Sequence, residues 1–106
     1  MEQMITYQHD VDAKGNPDGG WTQGHGLAIR WQKGPLGTGK KRKMPNGCFV
    51  ETVILAAINR LEFYQKSKFK CPENSEAIRR LHQAHHELFG RTLRRINKGT
   101  EGTHKV

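Results

Sequence analysis

The sequence predicts an α+β fold: a small antiparallel β-sheet followed by a two-helix antiparallel hairpin. Three observations carry that prediction. Leu27, Ile29 and Trp31 alternate with Ala28, Arg30 and Gln32, which is the period of two expected of a half-buried strand. Residues 49–98 hold two runs of apolar side chains spaced three and four apart, the period of amphipathic helices. Between the runs, Pro72 offers no backbone amide and turns Cys71 away from helical backbone.

In chain order, residues 1–20 form an N-terminal segment ahead of a single domain expected over 21–106. A short strand fits Met4 to Tyr7, after which turn formers dominate. The Asn16-Pro-Asp-Gly19 punctuation either closes a hairpin with the next segment, the favoured reading, or belongs to a mobile lead-in. His25 to Gln32 is the best strand. Arg30 points away from the face of Ile29 and Trp31, where it is either a solvent-facing charge or a ligand group. Trp21 and Trp31 read as core or interface anchors, because large rings mostly supply buried area.

Gly34-Pro-Leu-Gly-Thr-Gly-Lys40 matches the G-x-x-x-x-G-K spacing of a phosphate-binding loop. Lys41, however, stands where the magnesium-binding Ser or Thr belongs, and no helix follows directly. A flexible basic connection or a turn is the better reading.

The first helix places Val50, Val53, Ile54, Ala57, Ile58, Leu61 and Tyr64 on one face. Asn46-Gly47 fits its entry, and Glu51 favours the positive end of its dipole. The second places Ala77, Ile78, Leu81, Ala84, His85, Leu88 and Thr92 on one face and stops at Lys98-Gly99. Asn74 or Ser75 suits its N-cap. The polar, glycine-rich 99–106 tail either frays or packs closely over a ligand or a neighbouring subunit.

Eighteen Lys and Arg against ten Asp and Glu give a formal charge of +8, which favours an anionic partner. Charge alone does not choose among DNA, RNA, a phosphate-bearing small molecule and an acidic protein surface. With 34% hydrophobic residues in a chain of 106, part of the core is expected to be completed by another copy. Cys48 and Cys71 lie at opposite ends of the first helix, too far apart for a disulfide. With neither a signal-peptide core nor a long apolar span, the reading is a soluble protein of a reducing compartment with free thiols.

Arg91 and Arg95, four apart, share a helical face with Arg94 beside them. Paired guanidinium groups suit a pyrophosphate or a nucleic-acid backbone equally, and ordinary surface helices carry such pairs too. Tyr64 either stacks against a base or packs the hairpin with its hydroxyl at the rim. Asn74 serves as a cap or as a ligand hydrogen-bonding group. His82 and His86 share a face, but neither the glutamate of H-E-x-x-H nor an acidic pair accompanies them. No nucleophile and base form a persuasive pair. The residues therefore point to a binding protein, not an enzyme, with no cofactor or metal expected.

Leu27-Ala-Ile-Arg-Trp-Gln-Lys-Gly-Pro-Leu-Gly37, Asn46-Gly-Cys-Phe-Val-Glu51, Arg60-Leu-Glu-Phe-Tyr-Gln65, Cys71-Pro-Glu-Asn-Ser-Glu-Ala-Ile78, Arg91-Thr92 and Glu101-Gly-Thr-His104 follow one another as in a phage family. In these motifs the chain resembles the Thoeris anti-defence proteins of the first type, whose helical hairpin is related to that of the CBASS anti-defence sponges. The resemblance implies a phage protein acting in the host cytoplasm that sequesters glycocyclic ADP-ribose, the immune messenger, without degrading it. It also implies assembly into dimers or hexamers, with cyclic trinucleotides as further ligands in some hexamers. Carried onto this chain, it gives Tyr64 base stacking, Asn74 polar contacts, and Arg91 and Arg95 phosphate or ribose contacts, with Arg30 an addition from the strand. Two departures stand out. Pro72 replaces an arginine found in many members, and His82-Gln-Ala-His-His-Glu87 replaces an acidic, leucine-rich segment. The alternative, motivated by the +8 charge and Lys40-Lys-Arg-Lys43, is a phage-encoded nucleic-acid-binding module with salt-dependent affinity.

Overall fold

A computed structural model describes residues 4–106. The chain divides into two compact units, one made of residues up to Phe49 together with Thr100–Val106, the other of Val50–Gly99. The first holds a three-stranded antiparallel sheet and the second a two-helix hairpin, so the α+β architecture is as the sequence predicts.

The sheet is a meander, β1 (Thr6–Val11), β2 (Pro17–Gly24) and β3 (Leu27–Arg30), in that spatial order. The N-terminal hairpin therefore forms, but its turn is made differently from the expectation. Asp12 closes it, one carboxylate oxygen accepting from the amides of Lys14 at 2.8 Å and Asn16 at 3.0 Å, while Gly15 takes positive φ. Asp12 competes better for amides than the downstream Asn16-Pro-Asp-Gly19, because an aspartate at a turn's start mimics a backbone acceptor. Pro17 instead opens β2, a strand position that needs no amide. The strand expected at Met4–Tyr7 lies later, at β1, with an irregularity between His9 and Val11.

Strands β2 and β3 join through His25-Gly26, Gly26 supplying the positive φ. β3 is shorter than the predicted His25–Gln32, yet its direction continues: Trp31 bridges in parallel to Cys48. The Trp31 indole donates to the Thr22 hydroxyl at 2.8 Å, and Thr22 is buried. Trp31 is thus an anchor, as expected of it.

The connection 34–48 is ordered by its partners. Asn46 does not serve the entry of the first helix: its side chain accepts from the Lys33 amide and donates to the Lys33 carbonyl, while Gln32 Oε1 accepts from the amides of Asn46 and Gly47. A single 3-10 turn at Gly39–Lys41 interrupts the loop. The tail does not fray there. Glu101 grips the Arg42 guanidinium through two hydrogen bonds of 2.6 and 2.8 Å, and the Gly37 amide donates to the Gly102 carbonyl at 2.9 Å. A Cβ on Gly102 would come within 2.4 Å of the Gly37 carbonyl oxygen, so only glycine permits this approach.

The hairpin comprises α1 (Val50–Gln65) and α2 (Pro72–Lys98). Glu51 stands in the first turn of α1. Pro72 occupies the opening of α2 with Cys71 extended at the N-cap, so the helix begins earlier than a cap at Asn74 or Ser75 would place it. Pro72 needs no amide partner at that position and its fixed φ suits the first turn. Gln65 closes the link, its side chain accepting from the Cys71 amide and donating to the Cys71 carbonyl. Gly99, left-handed at φ 77°, ends α2 and donates to Arg95 and Ile96 carbonyls.

Of the apolar side chains described, Ile58 alone is nearly removed from water, at 4% exposure. Its neighbours along the predicted stripes, including Ile54, Leu61, Ile78, Leu81 and Leu88, are half-buried. Among the described residues, no helix is long and apolar enough to cross a membrane.

Candidate functional site

The hairpin carries four of the five predicted binding residues, and the helices distribute them to its two ends. Tyr64 and Asn74 stand at the closed end, where α1 gives way to the link. Ser67 finishes α1 there, its hydroxyl donating to the Tyr64 carbonyl at 2.6 Å. The Asn74 side chain donates to the Phe69 carbonyl at 3.4 Å, tying the link to α2. Asn74 is therefore no cap, and among the described residues none donates to its Oδ1.

Arg91 and Arg95 stand at the open end. Arg91 reaches across the hairpin, its Nη2 3.2 Å from Glu51 Oε1. Arg95, one turn on, is half-buried. Asn74 and Arg91 are almost five helical turns apart on α2, about 25 Å at a rise of ~1.5 Å per residue. That separation exceeds the reach of one compact cyclic nucleotide. A single hairpin puts Tyr64 and Asn74 at one end and Arg91 and Arg95 at the other, so it does not bring the two pairs to each other.

Arg30 belongs to the sheet unit. Its cross-strand partner is Trp21, so the two side chains leave the same face, opposite Ile29. Trp21, Arg30, Lys33 and Asn46 line a groove of about 620 Å³ that also takes in Asp10 and Asp18. Arg30 is exposed.

Two features of the hairpin, one at each end, carried no expectation from the sequence. Arg60 places its guanidinium carbon 4.8 Å from the Phe63 ring centre and 4.9 Å from that of Tyr64. The two rings are themselves 5.9 Å apart. The signal was available, since Arg60 precedes the rings by three and four residues, the spacing of neighbours on a helix. The Glu51–Arg91 pair had no such signal, because only the hairpin's register brings it together.

His82, His85 and His86, with Arg79 and Phe89, border a shallow groove on α2. His82 approaches Glu62 at 3.9 Å. Among the described residues no three His, Cys, Asp or Glu side chains form a group that could hold a metal ion. Cys48 and Cys71 are both free. Near the start of α2, Glu76 pairs with Arg79 and Arg80, and its hydrogen bonds to Arg79 hold the carboxyl below the usual range.

A three-stranded meander with an antiparallel helical hairpin, charged at one end and aromatic at the other, defines a small α+β hairpin protein. The family described as Acb2/Tad1, hairpin domain, matches residues 23–88, which is most of the chain, and the chain belongs to that family. The match takes in Arg30, Tyr64 and Asn74 and ends short of Arg91 and Arg95. Among curated proteins, "Thoeris anti-defense 1" of Bacillus phage SBSphiJ7 is 43% identical over 77 residues, covering 73% of this chain and 51% of the relative. The chain thus spans about half the length of that relative. The family expected from the sequence motifs is the family found.

Proposed function

We propose that this protein is a sponge for a cyclic ADP-ribose-type immune messenger, glycocyclic ADP-ribose, which it holds without breaking a bond in the host cytoplasm. The observation that carries this reading is the 43% identity to a relative named for Thoeris anti-defence. The chemistry of the hairpin agrees with it. A cyclic nucleotide of this class offers a purine face and two phosphates, and the hairpin offers an aromatic ring at Tyr64, a polar amide at Asn74 and guanidinium groups at Arg91 and Arg95. Arg30 adds a further cation from the sheet unit.

The pocket is built by two chains. With about 25 Å between its aromatic and cationic ends, one hairpin holds two half-sites, and a partner running the opposite way supplies the missing half of each. Exposed Val50, Leu55, Phe89, Leu93 and Ile96 provide apolar surface for such pairing, and a core reduced to Ile58 gains from it. The assembly is a homo-oligomer, a dimer or a hexamer built from dimers.

Calorimetric titration with glycocyclic ADP-ribose, and with linear ADP-ribose as control, tests the reading. Tight and selective uptake is expected, followed by release of intact ligand when the complex is heat-denatured and its supernatant chromatographed. A hydrolysed product would replace sequestration by catalysis. Absence of uptake would refute the messenger, and cyclic trinucleotides would be titrated next.

A second reading has one observation in its favour. Lys40, Lys41 and Lys43 are exposed on the loop that Glu101 ties down through Arg42. An ordered basic tip suits a nucleic-acid backbone, and it predicts binding to short DNA or RNA that weakens steeply with salt. Failure to bind either at low salt removes this reading.

A further inference from the structure

The closed end of the hairpin carries a cation that is not among the ligand-binding residues assigned above. Arg60 is exposed, and among the described residues no carboxylate pairs with it. Its guanidinium lies against two rings at once, 4.8 Å from Phe63 and 4.9 Å from Tyr64. A ring attracts the cation through its quadrupole and accepts no conventional hydrogen bond, so the guanidinium's donors are not consumed by the contact. By contrast, Arg79, Arg80 and Arg91 of the hairpin each face a carboxylate. Arg60 is held by aromatic groups instead, which fixes its position without neutralising its charge.

We propose that Arg60 is a ligand-binding residue, working with Tyr64 as one unit. The base stacks on the face of the Tyr64 ring opposite Arg60, and Arg60, over the other face, donates past the ring's edge to the phosphate next to that base. The assignment rests on the sponge reading above. Its chemical content is separate, namely that the aromatic end of the hairpin recognises a base together with an adjoining phosphate. The contact with both rings also restricts Arg60 before ligand arrives, so less side-chain freedom is lost on binding.

The test compares wild type with Arg60→Ala and Arg60→Lys in the full chain, titrated with glycocyclic ADP-ribose at low and at high salt, with circular dichroism to verify that each is folded. Loss of a charge-assisted hydrogen bond is expected to weaken binding about tenfold in Arg60→Ala. That deficit should shrink at high salt, because the missing interaction is one that salt screens. Arg60→Lys keeps the charge but not the planar donor set, and should fall between the two. If wild type takes up no ligand, the sponge reading fails and Arg60 loses its role with it. If wild type binds and Arg60→Ala binds equally, only the Arg60 assignment fails. A deficit in Arg60→Ala that stays constant with salt and is fully reproduced by Arg60→Lys would overturn it as well, assigning Arg60 to ring packing alone.

Discussion

Gly20 marks a position where the backbone allows one residue. It has φ of 120°, and a Cβ there would meet the Gln8 carbonyl oxygen at 2.1 Å. Gly20→Ala is expected to destabilise the protein by about 2 kcal/mol, from strained φ and the forced parting of β1 from β2, and denaturant unfolding measures it. Asp12 gives a pH-dependent counterpart. Its carboxyl is held below the ordinary 3.8 chiefly by the Asn16 amide, with the Lys14 amide adding. A depressed folded-state value means that its stabilisation is complete above the ordinary value and lost as pH falls through the folded one. The turn amides of Lys14 and Asn16 should therefore lose protection below pH 3.8, and Asp12→Asn should flatten that dependence. Exchange rates read by NMR decide both. At this scale the sequence was only partly legible. The turn formers of residues 10–20 were visible, but which one captured the amides depended on the register of β1 against β2, and Asp12 won over Asn16-Pro-Asp-Gly19.

The helices were the most legible elements, because their apolar periods run long enough to fix identity and the Lys98-Gly99 stop has one meaning. Gly99 adopts the left-handed conformation that such a stop requires. Gly99→Ala should cost about 1 kcal/mol, seen as a lower denaturant midpoint with unchanged slope. Less legible was the beginning of α2. Cap preference pointed to Asn74 or Ser75, whereas Pro72 takes the first helical position and Gln65, a residue of α1, satisfies both backbone groups of Cys71. That satisfaction comes from the neighbouring helix, so no local rule contains it. Gln65→Ala should loosen the link and raise amide exchange at Cys71 more than at the helix centres.

For the whole molecule, the candidate site follows from an arithmetic of length. Motif resemblance named Tyr64, Asn74, Arg91 and Arg95, and the helix rise alone places them at opposite ends of one hairpin. A site shared between chains makes a specific prediction. Tyr64→Ala and Arg91→Ala should each abolish messenger uptake alone. Co-refolded in equal amounts, they should recover about a quarter of wild-type capacity, since half the dimers are mixed and each mixed dimer regains one intact site. No recovery would place the whole pocket within a single chain. Ligand-depletion assays on the mixture measure it.

The clasp of Glu101 on Arg42, backed by Gly102 against Gly37, also orders events in time. A ribosome delivers the chain from its N-terminus, and the helical hairpin has all its residues before Glu101 is made. Its folding relies on near neighbours and can begin during synthesis. The loop carrying Lys40 to Lys43 must wait, because the residues that fasten it lie on the far side of the hairpin in sequence. The sheet unit is the last to be finished, although most of it is translated first.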